Sequence, residues 1–396
     1  MFLNIVKKAI VFPFIFIALN IYGQSEYHAI NLSAFYPVSI TNENDSVGVN
    51  INLLYSRVAQ VDYFNLGLGA TFIEGKMNGV QLGVGLTYIN SVFSGFSFTA
   101  GANIHNNDVN GLDASVLTNM ILGNLNGGAI SGVFNFVIGN VQGFQISPFF
   151  NIAGSSAKAL QLGNANIVAK NFSGFQLAFV FNFAGLKMNG LQTAIANLAG
   201  KNYGVQTGAV NVTHTQKGIQ FGVFNKAVVS TGLQLGIINY SVKQKGIPVG
   251  LINISDDSKI RWLNYVSNFA VFISGIKLTS NKFYSIIEAG WNYQRTNNRE
   301  SFTLGYRYGY DFELTPLLTI SPDLGYIQIF DKSYRKYNDN NFLHQFAIQA
   351  RCSVEYKINK FLRIFAGAGY SGSFILYQKN HVTGSKIIAF SGISIL

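Results

Sequence analysis

Residues 174–186 read GFQLAFVFNFAGL and alternate strictly between two kinds of side chain. Every second residue from Phe175 to Phe183 is aromatic or aliphatic, whereas the residues between them, from Gln176 to Ala184, are smaller or polar. Because successive side chains of a β-strand point to opposite faces, this pattern predicts a strand with one oily face and one polar face.

The same stretch belongs to a tandem repeat that covers residues 79–254. The clearest members are GVQLG at 79, GFQIS at 143, GFQLA at 174, GLQTA at 190, GVQTG at 204, GIQFG at 218 and GLQLG at 232. Degenerate members at 95, 111, 128, 159 and 246 fill the gaps, so that neighbouring members are about 14 to 16 residues apart, and an Asn follows at a nearly constant offset. The repeat therefore predicts one β-structural unit that is copied many times.

This Gly-x-Gln-x-Gly-x-x-Asn unit resembles the repeats of a family of bacterial surface-repeat proteins. Members of that family carry secretion signals and are assigned to the outer membrane. The resemblance is strong over the repeats and looser over the flanking segments. It implies an outer-membrane location and brings no catalytic residues with it.

The first residues fit secretion. Lys7 and Lys8 precede an apolar run that ends near Ile21, which is the layout of a signal peptide with cleavage before Gln24. Beyond Gln24 no apolar run reaches about 18 residues, the length of a membrane-spanning helix. A membrane location would therefore have to come from strands.

Composition agrees with an all-β protein. The chain holds Gly 41, Phe 34 and Tyr 20, with Pro 6 and 11% charged residues. The division that we predict is a signal peptide at 1–23, N-terminal barrel strands at 24–78, β repeats at 79–254, and C-terminal barrel strands with long external loops at 255–396.

The C-terminal third shows strands of barrel length. FTLGYRYGYDFEL at 302–314 and FAIQARCSVEYKI at 346–358 each alternate between an oily face and a charged face. Short turns such as 279–282 and 358–361 alternate with longer polar loops, at 294–301, 331–342 and 378–385. Short turns at one end and long loops at the other are typical of outer-membrane barrels.

The polar faces of these strands supply candidate residues for lining a barrel lumen. From the C-terminal strands and the repeat, these are Arg307, Asp311, Glu313, Arg351, Glu355, Lys357, Gln176 and Asn182. The charged residues among them either line a pore and bias ion passage, or pair across strands and plug the lumen. Trp262 and Trp291, with the Tyr-rich strand ends, fit an aromatic girdle at the membrane boundary.

The repeat admits two physical interpretations. In an outer-membrane antiparallel β-barrel of about 20 strands, its oily faces would meet lipid and its Gln and Asn side chains would line the lumen. In a parallel β-solenoid, followed by a smaller C-terminal barrel, each Gln and Asn would stack on its predecessor in hydrogen-bonded ladders. The 14-residue members favour the solenoid, because their Gln and Asn are five apart and would fall on opposite faces of a regular strand. We favour the barrel, because a solenoid would have an unusually oily exterior.

Catalytic and metal-binding patterns are weak. The single Cys352 and five scattered His residues offer no metal-ligand spacing, and the glycines at 367, 369 and 372 lack the helix that a dinucleotide site requires. His105 near Asp108 and Asp113, with Ser97 or Ser115, is the one arrangement that imitates a catalytic triad. We expect no enzyme activity, no cofactor and no metal site.

The formal net charge of +11 suggests anionic neighbours, but the basic residues are dispersed, which is unlike a nucleic-acid-binding face. We therefore expect outer-membrane lipids, anionic glycolipid and the barrel-assembly machinery as partners, with loops exposed at the cell surface. The leading functional hypothesis is a porin-like channel for small solutes. The contrasting hypothesis is a surface-exposed repeat protein with an adhesive or structural role.

Overall fold

The computed structural model describes residues 26–294, 299–331, 345–375 and 384–396. In these residues the regular secondary structure is entirely β, which confirms the all-β prediction. None of the described segments forms a helix long and apolar enough to cross a bilayer. The predicted signal peptide at 1–23 lies outside the described residues, as do residues 295–298, 332–342 and 378–383 of the predicted long loops.

The chain divides into two compact units, residues 1–120 and 121–396. The strands of the first unit are β1 (Tyr27–Phe35), β2 (Val38–Ser39), β3 (Ser46–Asn52), β4 (Tyr55–Val58), β5 (Gln60–Gly67), β6 (Ala70–Ile73), β7 (Met77–Gly83), β8 (Leu86–Ile89), β9 (Phe93–Thr99), β10 (Ala102–His105), β11 (Val109–Ser115) and, at the division, β12 (Thr118–Ile121).

The first unit is a stack of parallel strands. β1, β3, β5, β7, β9 and β11 pair in succession, and β4, β6, β8 and β10 form a second parallel stack. Each coil of the chain thus adds one strand to each stack, which is the architecture of a β-solenoid. The prediction of N-terminal barrel strands at 24–78 is therefore wrong. Those residues already belong to the repeat, and Asn31, Asn50, Asn65 and Gln81 bond in a row through their amides.

The second unit begins with the same architecture. Its solenoid strands are β13 (Leu125–Ser131), β14 (Phe134–Val137), β15 (Val141–Ile146), β16 (Phe150–Ala153), β17 (Ala157–Val168), β18 (Phe172–Thr193), β19 (Ala196–Asn202), β20 (Val205–Gln216), β21 (Ile219–Ser230), β22 (Leu233–Gln244) and β23 (Ile247–Ser255). Neighbouring coils pair in parallel and in phase: Gln206, for example, stands beside Gln220, and Asn211 beside Asn225.

Two hydrogen-bonded ladders run through the interior of this solenoid. The Asn ladder comprises Asn135, Asn151, Asn166, Asn182, Asn197, Asn211, Asn225, Asn239 and Asn253, each donating from Nδ2 to the next Oδ1 at 2.8–3.0 Å. The Gln ladder comprises Gln145, Gln161, Gln176, Gln192, Gln206, Gln220 and Gln234, and it donates in the opposite direction along the stack. Parallel, in-phase stacking is the arrangement that allows both ladders, since an antiparallel barrel would invert alternate repeats.

The single barrel of about 20 antiparallel strands is therefore the wrong architecture for the repeats. The alternative, a solenoid followed by a smaller C-terminal barrel, is the arrangement that the strand pairing shows. In the 14-residue coils the chain bends between Gln206 and Asn211, so that both side chains point inward and are fully buried. Gly208 lies at this bend, where an added Cβ would stand 2.7 Å from the Asn197 amide nitrogen.

The glycine that opens the 16-residue motif has a different role. Gly174 has a φ of 130°, a backbone conformation that residues with a Cβ rarely adopt. Its own added Cβ would stand 2.2 Å from the Ala159 carbonyl oxygen of the preceding coil. The two glycines of the motif therefore allow the bends and the close stacking of coils.

The rest of the second unit is an antiparallel barrel. Its strands are β24 (Lys259–Ser267), β25 (Phe272–Ser280), β26 (Phe283–Gln294), β27 (Arg299–Tyr310), β28 (Phe312–Glu313), β29 (Leu318–Asp331), β30 (Gln345–Lys357), β31 (Leu362–Ile375) and β32 (Gly384–Ile395). Among the described residues, eight long strands close into a ring when β24 pairs with β32 and β27 with β29. The two-residue β28 adds a short pairing to β29.

The barrel has a short-turn end and an opposite end. Residues 281–282, 311–317 and 358–361 connect strands at the short-turn end, and the solenoid enters the barrel at the same end through residues 256–258. Ser255 of the last coil contacts Ser280 there, with their hydroxyl oxygens 2.6 Å apart.

Candidate functional site: the barrel interior

The interior of the barrel holds a dense set of charged side chains. The structure places Arg307, Arg351, Glu355 and Asp311 in it, each less than a tenth exposed. They lie on inward positions of β27 and β30, and on the residue that follows β27, because inward and outward side chains alternate along a strand.

A first cluster is organised around Arg307. Its Nε lies 2.7 Å from Glu288 Oε1, and its guanidinium also bonds Asp323 and Gln349. Asp323 in turn accepts two bonds from Arg351, at 3.1 and 3.0 Å. Each guanidinium thus meets at least one carboxylate, which is the arrangement that offsets the cost of burying charge.

Tyr265 joins the two arginine groups. Its hydroxyl donates to Glu288 Oε2 at 2.6 Å and accepts from Arg351 Nη1 at 2.9 Å. The side chain is also packed against Phe365 and Phe390 in the small apolar part of the barrel interior. Tyr265 therefore ties the ionic cluster to a packed aromatic group.

A second cluster is organised around Lys277. Its Nζ lies 2.9 Å from Asp311 Oδ1 and 2.5 Å from Glu355 Oε1, and it stands 4.0 Å from the centre of the Tyr284 ring. Arg363 contacts the other oxygen of Glu355 at 3.3 Å. Together the two clusters bring four basic and four acidic side chains into contact across the interior.

Four other predicted lumen residues lie elsewhere. Glu313 is exposed on the short β28, and Lys357 is half-buried at the last position of β30. Gln176 and Asn182 are fully buried, but inside the solenoid, where they belong to the Gln and Asn ladders. Their assignment to a barrel lumen is wrong because the repeats are not barrel strands.

Sequence reasoning missed Lys277, Glu288, Asp323, Tyr265 and Gln349, although all face inward. Lys277 and Glu288 lie in SGIKLTS and SIIEAGW, where a charge alternates with outward Ile and Leu or Ala side chains. Alternation, applied to every strand, identifies such residues as inward-facing. Their pairing stays hidden, because Lys277 and Glu355 are 78 positions apart.

The outside of the barrel is apolar. Outward side chains that are at least two-fifths exposed include Ile260, Trp262, Val266, Phe272, Ile287, Trp291, Phe302, Leu304, Leu324, Tyr326, Ile348, Val354, Tyr356, Ile364, Tyr370 and Ile387. Trp262 lies towards the short-turn end, opposite Ile395, and Trp291 lies towards the other end, opposite Phe272.

Further aromatic contacts lie towards each end of the outer wall. Phe283 packs with Tyr308 and Tyr310 towards the short-turn end. Phe346 stacks with Tyr326 and Phe374 in the half of the wall farther from that end. A barrel with an apolar exterior and aromatic rings towards both ends has the surface that a bilayer requires.

The arrangement that imitated a catalytic triad lies in the first unit. His105 Nε2 and Asp113 Oδ2 are 3.2 Å apart, and both side chains are fully buried in the solenoid interior, as is Ser97. No substrate can reach them there. Within the described part of the chain, no group of three or more His, Cys, Asp or Glu side chains is placed to hold a metal ion.

No family model and no curated protein matches this sequence. Three solved structures are similar over 35% of this chain. The Neisserial surface protein A (NspA) is 13% identical, with 93% of its chain covered and a TM-score of 0.25. The N-terminal β-barrel domain of Pseudomonas aeruginosa OprF is 14% identical, with 95% covered and a TM-score of 0.23. A de novo designed transmembrane β-barrel is 13% identical, with 92% covered and a TM-score of 0.22.

Proposed function

We propose that this chain is an outer-membrane protein in which a closed barrel anchors a structural solenoid. The observation that carries the proposal is the content of the barrel, where ion pairs fill the interior and Lys277 joins Glu355 on the opposite wall, inside an apolar exterior. The apolar exterior suits lipid, and the cross-linked interior suits an anchor.

The same ion pairs argue against the solute channel expected from the sequence. An eight-stranded barrel has an interior just wide enough for side chains to fill. Here Lys277 of β25 bonds Glu355 of β30, and Arg351 of β30 bonds Tyr265 of β24. A solute would have to break these bonds to pass.

The position of the solenoid also bears on function. In outer-membrane barrels the short turns face the periplasm and the long loops face the outside of the cell. The solenoid enters this barrel at the short-turn end, beside Ser280. We therefore assign the solenoid to the periplasm, and of the predicted adhesive or structural roles we retain the structural one.

The proposal includes no enzyme activity. Membership of the bacterial surface-repeat family, insertion by the barrel-assembly machinery, and contact of the outer end of the barrel with anionic glycolipid are parts of the same proposal. Lys386 is exposed near the end opposite the short turns; its Nζ donates to the Asn268 carbonyl at 3.2 Å and has further N–H groups for such a contact.

Cysteine labelling in cells tests the sidedness. In a Cys352→Ser background, single cysteines would replace Ser385 near the outer end, Lys360 in a short turn, and Lys217 on the solenoid. With a membrane-impermeant maleimide, we expect Ser385→Cys to react on intact cells, and the other two to react only after the outer membrane is permeabilised. Labelling of Lys217→Cys on intact cells would instead establish a surface-exposed repeat.

Planar-bilayer recording tests the closed lumen. The purified full chain should insert without steady conductance, because the interior is filled by paired side chains. Stable, stepwise conductance from the unmodified protein would overturn the anchor proposal and restore the porin-like one.

A further inference from the structure

One face of the solenoid in the second unit is apolar and exposed. We define the apolar face by three columns of outward side chains in the 14-residue coils. The first column is Val205, Ile219, Leu233 and Ile247, and the second is Thr207, Phe221, Leu235 and Val249. The third column is Ala209, Val223, Ile237 and Leu251. Phe221 is 57% exposed and Val223 is 52% exposed. A continuous surface of this kind marks an interaction site.

The interior behind this face is polar, which is the reverse of a water-soluble protein. One column of interior side chains is apolar in the 16-residue coils and ends at Met188. In the 14-residue coils the same column consists of Asn202, Gln216, Ser230 and Gln244. These side chains lie beside the Asn and Gln ladders and are buried. The 14-residue coils therefore place their polar groups inside and their apolar groups outside, as a membrane-embedded structure does.

Two lysines lie at the edge of the apolar face. Residues 121–255 contain eight lysines and no acidic residue. Lys217 and Lys245 occupy the turn that leads into the apolar face, and both are exposed. An apolar surface with a purely basic edge complements a leaflet with anionic headgroups.

The apolar face is continuous with the outer wall of the barrel. Tyr306 and Tyr308 point outward from β27, and their hydroxyls donate to the Gly250 and Pro248 carbonyls of the last coil, at 2.6 and 2.9 Å. The last coil therefore lies against the wall that faces outward from the barrel, and not beneath its open end.

A groove runs along this junction. Its volume is about 820 Å³, and Phe221, Leu235 and Val249 line one side while Val223, Ile237 and Leu251 line the other. It crosses successive coils and reaches Tyr306. An apolar groove that begins on a coil and ends on the lipid-facing barrel wall suits an acyl chain.

We propose that the apolar face lies in the phospholipid leaflet on the short-turn side of the barrel, with Lys217 and Lys245 at anionic headgroups. This inference rests on the proposed function, since it requires the barrel to be in the membrane. The solenoid backbone permits such burial, because β21 and β22 pair with a coil on either side, and Tyr306 and Tyr308 donate to two edge carbonyls of the last coil.

Lipid quenching tests the proposal. The full chain, with Cys352→Ser and one added cysteine carrying an environment-sensitive fluorophore, would be reconstituted in vesicles of phosphatidylethanolamine and phosphatidylglycerol. The added cysteines are Phe221→Cys and Leu235→Cys on the apolar face, His214→Cys on the other side of the coil, and Leu324→Cys on the barrel exterior. Acyl-chain doxyl lipid serves as the quencher.

We expect both apolar-face probes to be quenched by doxyl lipid, as Leu324→Cys is, and His214→Cys to be quenched by aqueous iodide instead. If Leu324→Cys is quenched while both apolar-face probes remain in water, this inference fails and the anchor stands. If Leu324→Cys is also in water, the proposed function fails. Apolar-face probes protected from both quenchers, with a doubled mass by light scattering, would identify a second copy of the chain as the occupant and overturn the lipid assignment.

Substitution of Lys217 and Lys245 tests separately whether these lysines contact anionic headgroups. Lys217→Gln with Lys245→Gln should reduce doxyl quenching at Phe221→Cys, with an effect of about fivefold per lysine on the equilibrium between leaflet and water. Vesicles of phosphatidylcholine alone should reduce it in the same way. Quenching that is insensitive to both changes would overturn the headgroup role of the lysines.

Discussion

The barrel and the last coils of the solenoid both place polar groups inside and apolar groups outside, but they satisfy the polar groups differently. The barrel pairs opposite charges, such as Arg307 with Glu288, whereas the coils stack identical neutral amides, such as Asn211 on Asn225. An amide both donates and accepts, so that each copy can bond the next at the strand spacing of about 4.8 Å. Like charges at that spacing would repel, so ion pairs suit the barrel, whose strands do not repeat.

Loss of Arg307 from the charged interior should destabilise the barrel more than any other change proposed here. Arg307→Met leaves Glu288 and Asp323 without one of their cationic partners, and a broken buried ion pair costs about 3–5 kcal/mol. We expect this loss in the free energy of unfolding, measured by urea titration of the barrel in detergent and followed by heat-modifiable gel migration. Glu313→Gln is the matched control, because Glu313 is exposed and should change stability by less than about 0.5 kcal/mol. Equal effects would mean that the ionic clusters do not support the barrel.

An intermediate effect is expected in the Asn ladder. Asn225→Leu removes the oxygen that accepts from Asn211 and the N–H groups that donate to Asn239 and to the Leu235 carbonyl. A buried polar group left without a partner lowers the free energy of unfolding by about 1–3 kcal/mol. Hydrogen exchange should increase in the coils on both sides of the substitution. Asn189→Leu, at an exposed position of the same solenoid, serves as the control. Unchanged exchange in Asn225→Leu would show that the ladder is dispensable.

A carboxylate in the Asn ladder tests whether the ladder requires neutral side chains. Asn225→Asp places a carboxylate in the neutral ladder, and burial raises the pKa of that carboxyl above its value in the unfolded chain. The folded form then binds the proton more tightly, so the variant should gain stability as the pH falls through the raised pKa and lose it as the pH rises. The free energies of unfolding of the variant and the wild type, measured by urea titration between about pH 4 and about pH 8, should differ most at high pH. A difference that is constant across this range would mean that the introduced carboxyl is solvated.

The smallest effect is expected where the two regions meet. Tyr306→Phe with Tyr308→Phe removes the hydroxyls that bond the edge carbonyls of β23. Each lost hydrogen bond should reduce stability by about 0.5–1.5 kcal/mol. We expect faster hydrogen exchange in 247–255 and an unchanged barrel. Tyr310→Phe, which packs against Phe283 and Phe312 on the same wall, is the control. Equal exchange in the double variant and the control would assign the contact to packing alone.

The sequence predicts the strands of this protein better than their stacking. Alternation in 302–314 identifies an inward Arg307 and an outward Tyr306, and the structure agrees on both. Phe175 and Phe179 predict an oily exterior for the repeats, and the structure has one, since Phe179 is 70% exposed. This exterior is compatible with a solenoid as well as with a barrel. The five-residue separation of Gln206 and Asn211 was the better evidence, because only a bend turns both inward.

The start of the solenoid was hidden for a different reason. In the first unit the column occupied by Gln81 holds Asn in earlier coils, at Asn50 and Asn65, so the Gly-x-Gln motif is lost while the hydrogen bond is kept. The barrel clusters were hidden because their partners come together only on closure. Asp323 and Arg351 lie on neighbouring strands, but Tyr265 reaches Arg351 across 86 residues.

The in-phase stacking of coils has a consequence for how this protein can change in length. Inserting or deleting one whole coil moves everything beyond it by one strand spacing, about 4.8 Å, and leaves each ladder bonded to an identical neighbour. The barrel allows no such change, since removing one strand would open the ring between β24 and β32. Gene duplication within the repeat can therefore lengthen or shorten the solenoid while its anchor keeps a fixed size.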